Sequence, residues 1–217
     1  MLLMKKILSI AVITFLLNPA HAQEKAQPIY HYGFYLSMAI GPAFGDINGT
    51  AGTDIYKVKG FAPGLDIQVG GSIAENLLLH GTLQVKTIIG PKINGIKLNS
   101  RYSFDENFLG AGITKYTTDN FFATANIGAA YYSFTLQNNN SVVTNKSSTD
   151  PGFSFNLKAG KEWLVSPKWG LGAALFFSRS SASSNSGGVA GPTGKENWNS
   201  SRFGIYFQAT FNKTRRK

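Results

Sequence analysis

Apolar residues recur at every second position along most of the chain. The clearest run is 198–211, where Phe203, Ile205, Phe207, Ala209 and Phe211 alternate with Arg202, Gly204, Tyr206, Gln208 and Thr210. A period of two sends successive side chains to opposite faces of a strand. One face of this strand is therefore apolar and ends in an aromatic ring, and the other is small or polar. Its length suits a tilted strand crossing a bilayer, which takes about ten residues. The same alternation predicts strands over residues 30–41, 64–73, 77–89, 104–116, 121–136, 153–165 and 169–179, eight with the last. In the fifth, Ala123, Ala125, Ile127, Ala129 and Tyr131 form the outward set. The phase breaks at Tyr131-Tyr132, which predicts a bulge there or an extension past the membrane.

The connections alternate in length. Long polar stretches follow the first, third, fifth and seventh strands. Tight turns at Glu75-Asn76, 117–120 and 166–168 follow the second, fourth and sixth. Short turns at one end and long loops at the other are the pattern of a transmembrane barrel. Pro63 cannot donate to a ladder and a barrel has no edge, so Pro63 is expected above the paired region. Asp105, Glu106 and Asn107 are expected beyond the membrane. The predicted fold is all-β, an eight-stranded antiparallel up-and-down transmembrane β-barrel.

The first residues carry a different signal. Lys5 and Lys6 precede an apolar stretch too short to span a membrane, Asn18-Pro19 breaks it, and Ala20-His21-Ala22 is a small-x-small cleavage pattern. This reads as a signal peptide over 1–22 rather than an amphipathic or buried helix, and no cysteine follows to receive lipid. The barrel is then expected over 23–211, with a basic tail at 212–217. The rest of the chain has no apolar run long enough for a helical span, which needs about 18 residues.

Alternation does not say which face points outward, since a soluble eight-stranded barrel puts its apolar face inside. Composition decides. Charged residues are 15% of the 217, against about 25% in soluble domains. The polar faces carry Gly110, Gly112, Gly128, Gly170, Gly172 and Gly204 rather than Lys and Glu, which suits a narrow interior. Phe121, Trp163, Trp169 and Phe211 gather at the short-turn end, and Phe61, Phe153, Phe177 and Phe203 near the loops, as two interface girdles. Asp66, Lys86, Lys158, Glu162 and Arg202 fall on the polar faces. They are expected to pair within the lumen, because unpaired charges there are expensive. Asp66 and Lys86 lie at similar heights on adjacent strands, and Lys158 and Arg202 at comparable heights above their own turn ends, so that three cations compete for Asp66. Glu162 is lower and answers only with help from barrel shear.

Residues 159–174, Ala-Gly-Lys-Glu-Trp-Leu-Val-Ser-Pro-Lys-Trp-Gly-Leu-Gly-Ala-Ala, are similar to a strand–turn–strand element of the small outer-membrane β-barrel domain family, the OmpA/OmpX/OmpW-like eight-stranded barrels. The resemblance spans the mature chain as a pattern and is strongest from about Gly110 onward. It implies an outer-membrane location and insertion by the outer-membrane assembly machinery, which reads an aromatic-ended last strand. Here Asn212 to Lys217 follow Phe211, a departure from that pattern.

Little reactive chemistry is present. With no cysteine and few histidines, neither a metal nor a cofactor is expected. His80 reads as a lumen histidine rather than the general base of a lipid-modifying barrel, since no Ser–His–acid set has matching spacing. Residues 191–195 resemble a phosphate loop only in part: Val189 stands where the first Gly belongs and no helix follows. The net charge of +10 does not point to nucleic acid in an exported protein. Lys57, Lys59, Lys92, Lys97 and Arg101 flank the outer loops, where they serve either solvation or contacts with lipopolysaccharide phosphate. The expectation is a monomeric, non-enzymatic barrel of structural or surface-interaction type. A narrow channel or transporter for small or hydrophobic solutes is the alternative, and a lipid-modifying enzyme a further one.

Overall fold

The structure is a computed structural model that describes residues 28–138, 143–185, 189–190 and 194–216. The signal segment lies outside the described residues, as do parts of the third and fourth long loops and Lys217. The strands in chain order are β1 (Ile29–Phe44), β2 (Ile47–Ala51), β3 (Asp54–Lys59), β4 (Ala62–Ala74), β5 (Leu77–Ile89), β6 (Lys92–Ile93), β7 (Ile96–Lys97), β8 (Tyr102–Tyr116), β9 (Phe121–Gln137), β10 (Val143–Ser148), β11 (Gly152–Leu164), β12 (Trp169–Ser184) and β13 (Glu196–Arg216). Eight of them form the barrel, in the order β1-β4-β5-β8-β9-β11-β12-β13, and β13 pairs back with β1 to close it. Every barrel pairing is antiparallel between strands adjacent in the path. Each of the eight strands expected from the alternation is present.

Facing follows the sequence pattern with the apolar side out. On β13 Arg202 is 0% exposed and its neighbour Phe203 58% exposed. Leu65, Leu83, Leu109, Ile127, Leu157, Leu171 and Phe207 are all outward and exposed. A soluble barrel would show the reverse, so the outer wall is a surface made for lipid. The turns follow too: Asn76 and Asn120 carry φ of 59° and 60°, a left-handed conformation that asparagine tolerates because its short side chain bonds locally.

Several expectations are corrected. Pro63 is inside the β1–β4 ladder, as the Cα partner of Pro42. Neither proline can donate, so the two share a position where no N–H is offered between them. The phase change at Tyr131-Tyr132 is no bulge, because β8 and β9 pair continuously from Leu136 to Phe122. The sheet simply extends upward, and Tyr132 turns inward against Phe104 and Trp198. Asp105, Glu106 and Asn107 belong to the ladder, paired with Thr87, Lys86 and Val85. The last strand does not stop at Phe211: it continues to Arg216, which is partnered with Ile29.

The first long loop is also built. β2 continues β1 upward and β3 leads down into β4, so the wall rises above the barrel as a hairpin. β2 is anchored on the upper part of β13, and β6 and β7 extend the same sheet beyond β3. Gly49 makes this closure possible, since a Cβ there would lie 2.5 Å from the Trp198 ring. The inner face of the raised wall, with Ile47 and Val58, joins Trp198, Phe104, Tyr132, Phe176 and Ile88 in an apolar cluster at the upper end of the lumen.

Candidate functional site

Two places concentrate chemistry: the lumen, and the outer face of the raised wall. The lumen is layered. At its turn end His31 is buried and stacked on Tyr116 at 3.8 Å between centroids. Its Nδ1 and Nε2 lie 3.1 and 2.9 Å from the side-chain oxygens of Asn212 and Asn120, and its backbone N–H donates to Asn76. His31 thus ties two turns to the final strand, one through its ring and one through its backbone N–H. Above it sit Tyr35, Leu78, Tyr116 and Phe122.

The next layer holds Glu162. Tyr116 and Thr210 donate to its Oε1 at 2.7 Å each, and Gln208 donates to the same oxygen. Room for this carboxylate comes from Gly170 and Gly172, where a Cβ would meet Glu162 at 3.0 and 2.8 Å. No cation lies within ion-pair distance of it among the described residues, so its bonds come from neutral donors. His80 lies nearby, bonded to Thr82 and Thr114 at 3.0 Å each. It faces the lumen and bonds to neither serine nor acid among the described residues, so no nucleophile–base–acid set is assembled around it there.

The ion pairs come higher. Asp66 meets Lys158 across the barrel at 3.6 Å and accepts from Gln84 at 2.8 Å. Glu106 is the larger hub: Lys86 lies 3.2 Å and Arg202 3.5 Å away, while Ser180 and Ser200 donate at 2.9 and 3.0 Å. All five expected lumen charges are buried. Of the three cations expected to compete for Asp66, Lys158 meets it, while Lys86 and Arg202 go to Glu106, which was not among the expected lumen charges. Lys86 stands directly opposite Glu106 on the neighbouring strand, whereas Asp66 stands opposite Gln84. The cross-barrel pairs, Asp66–Lys158 and Glu106–Arg202, follow from stagger. Following Cα partners round the wall from Ser37, through Gln68, Thr82, Gly110, Gly128, Ser154 and Ser180, arrives on β13 at Ser200, whereas Ser37 itself is partnered with Thr210. Strand-by-strand heights therefore mislead about what meets across the lumen. Glu106 was legible by parity, since it shares the inward phase of Gly110, Gly112 and Thr114; its charge argued against that placement.

The raised wall gathers the lysines. Lys59, Lys92 and Lys97 are successive Cα partners across β3, β6 and β7. Lys57 precedes Lys59 on the same exposed face, and exposed Phe61 follows just below. Asp46 lies 3.1 Å from Lys57 and 3.7 Å from Lys59. Among the described residues Lys92 and Lys97 have no carboxylate within ion-pair distance. Arg101 lies past β7, in the turn before β8.

At the opposite end Trp169 and Phe211 are Cα partners with rings edge to face at 5.2 Å. Lys161 sits 4.4 Å over the Phe121 ring, and Trp163 points outward. These four aromatics share the outer surface near the short turns.

Closed topology and outward apolar facing define an eight-stranded transmembrane β-barrel of the outer-membrane type. No family model and no curated protein matches the chain. Solved structures do. Neisserial surface protein A (NspA) aligns over 82% of this chain and 96% of its own, at 12% identity and a TM-score of 0.52. OprG from Pseudomonas aeruginosa aligns over 86% and 97%, at 11% identity and a TM-score of 0.44. Ail of Yersinia pestis, solved with the heparin analogue sucrose octasulfate, aligns over 81% and 99%, at 11% identity and a TM-score of 0.41. At such identities the likeness to NspA is one of fold.

Proposed function

We propose that this protein is a monomeric outer-membrane barrel of surface-interaction type, closed inside by its own side chains, whose raised wall holds the phosphates of lipopolysaccharide. The row Lys59–Lys92–Lys97 carries the proposal. Like charges directly opposite one another on neighbouring strands destabilise a sheet. A phosphate lying between the ammonium groups removes that repulsion through charge-assisted bonds. Position selects the ligand. Lys57 and Lys59 stand on the outer face directly above Phe61, and exposed Phe44 and Phe203 pack at 5.9 Å on the neighbouring strands. Cations just above an aromatic girdle meet headgroups of the surrounding leaflet rather than a partner at the loop tips.

Support for a closed lumen comes from the cross-barrel pairs and from the aromatic clusters at both ends. His80, bonded to Thr82 and Thr114 inside the barrel, favours a binding role over a lipid-modifying one. Insertion by the outer-membrane assembly machinery belongs to the same reading, with outward Phe211 near the end of the last strand.

Folded protein in detergent, titrated with lipopolysaccharide, tests the proposal. Binding is expected to weaken at least tenfold in Lys59→Glu/Lys92→Glu, to fall with salt, and to weaken with dephosphorylated lipid. Equal binding by parent and variant sinks it. A steady single-channel current from the parent in a planar bilayer replaces the closed lumen with a narrow channel.

A further inference from the structure

The lipid-facing wall is not evenly filled. On β4, β5 and β8 the outward residues Leu65, Leu83 and Leu109 are large. On β9, β11 and β12 alanine takes such places. Ala123 and Ala159 are Cα partners, and Ala173 lies on the next strand as the partner of Lys161. Two adjoining hollows of about 590 and 540 Å³ open there on the outer surface, with Ala159 and Leu175 belonging to both. They begin at Phe121 and Ala123, just above the aromatic girdle of the turn end. A hollow facing lipid forfeits dispersion contacts unless hydrocarbon fills it.

Each hollow has one ammonium group at its rim. Lys115 lines the first and Lys161 the second. They stand on the strands either side of β9, opposite Ala123 and Phe121. Two strand spacings, roughly 10 Å, separate their backbones, so both long side chains can converge on one group between them. Lys115 Nζ donates to the Glu75 carbonyl at 3.2 Å, which holds it at the level of the short turns. Lys161 Nζ sits 4.4 Å over the Phe121 ring, at girdle height. Among the described residues neither lysine has a carboxylate within ion-pair distance. Two parallel hydrocarbon slots below a pair of cations match two acyl chains joined at one phosphate. The charges disfavour a second copy of the chain, because a two-fold contact through this face sets the same lysines against each other at the same height.

We infer that the β9–β11–β12 face holds one anionic diacyl phospholipid of the turn-end leaflet, with its chains in the two hollows and its phosphate between Lys115 and Lys161. An ethanolamine headgroup brings its own ammonium against the lysines, whereas a glycerol headgroup leaves the phosphate charge to them. The site lies at the opposite end of the barrel from the Lys59–Lys92–Lys97 row and is independent of it.

Native mass spectrometry of the folded protein in detergent tests this, with phosphatidylglycerol and phosphatidylethanolamine of matched chains added in equal amounts. The parent is expected to retain one phosphatidylglycerol, with a preference of about fivefold per lysine. Lys115→Gln/Lys161→Gln is expected to lose the preference. Ala159→Leu puts a branched side chain into both hollows and is expected to lose the retained lipid, while Ala129→Leu, outward on β9 but lining neither hollow, keeps it. Equal retention of the two lipids by the parent, or parent-like retention in Ala159→Leu, overturns the inference. So does a lipid-free dimer of the parent. If Ala159→Leu fails to fold, phosphatidylglycerol with a photoreactive group in one chain decides on the parent. Cross-links are then expected on residues 121–125 and 157–161, and links spread evenly round the wall overturn the inference.

Discussion

The two faces of a single strand of this barrel obey different rules. The outer face of β13, Phe203, Ile205 and Phe207, faces lipid and its outer neighbours, such as Phe44 beside Phe203, and any apolar side chain of fitting size serves there. The inner face, Arg202, Tyr206 and Gln208, meets particular partners: Arg202 reaches Glu106 on β8 across the barrel, Gln208 reaches past β12 to Glu162 on β11, and Tyr206 stacks on Phe176 of β12. Outer positions are therefore specified by class, and inner ones by identity. A change outside loses transfer energy; a change inside strands a partner, and breaking a buried pair costs more than the pair contributed.

That contrast can be broken most directly at Glu106. Glu106→Ala leaves both Lys86 and Arg202 without their carboxylate, and equilibrium unfolding in micelles is expected to show a loss of about 3–5 kcal/mol. A loss under 1 kcal/mol would mean that water compensates inner charges as easily as lipid accepts outer ones. On the outer face, Phe207→Arg puts a charge toward the hydrocarbon and is expected to cost about 2–4 kcal/mol. If that variant inserts and unfolds like the parent, the assigned facing is wrong.

A smaller effect sharpens the inner face alone. A double-mutant cycle of Asp66→Ala with Lys158→Ala is expected to give a coupling of about 0.5–3 kcal/mol. The same cycle with Lys86→Ala is expected to give less, because Lys86 belongs to Glu106 on the neighbouring strand; the reverse order would restore the Asp66–Lys86 pair. Smallest is the outer pair Trp169–Phe211, whose edge-to-face contact is worth about 0.5–1.5 kcal/mol. Replacing either by leucine is expected to bring a loss of that size, and depth-resolved fluorescence quenching to place Trp169 at the bilayer interface. Quenching only from the bilayer centre would contradict the girdle.

The lysines give a similar lesson about legibility. Each of Lys57, Lys59, Lys92 and Lys97 was visible as a loop cation. What made them a surface was the pairing of β3 with β6 and of β6 with β7. The alternation over residues 55–59, Ile-Tyr-Lys-Val-Lys, was present as a signal. It was short enough to be absorbed into a glycine-rich loop.

What the chain settles by itself is local. The number of barrel strands, the turn positions and the side to which each barrel residue points follow from period two and from a few turn residues such as Asn76 and Asn120, because facing depends only on a residue's immediate neighbours. Which groups meet inside is not local. Asp66 finds Lys158, and Glu106 finds Arg202, only after every register round the barrel has been added to the stagger that closes it. A slip at any one ladder would re-pair the whole interior. The partners of the buried charges and the raised basic wall were therefore decided by closure, while the inward or outward place of each barrel residue was already written in its position along the strand.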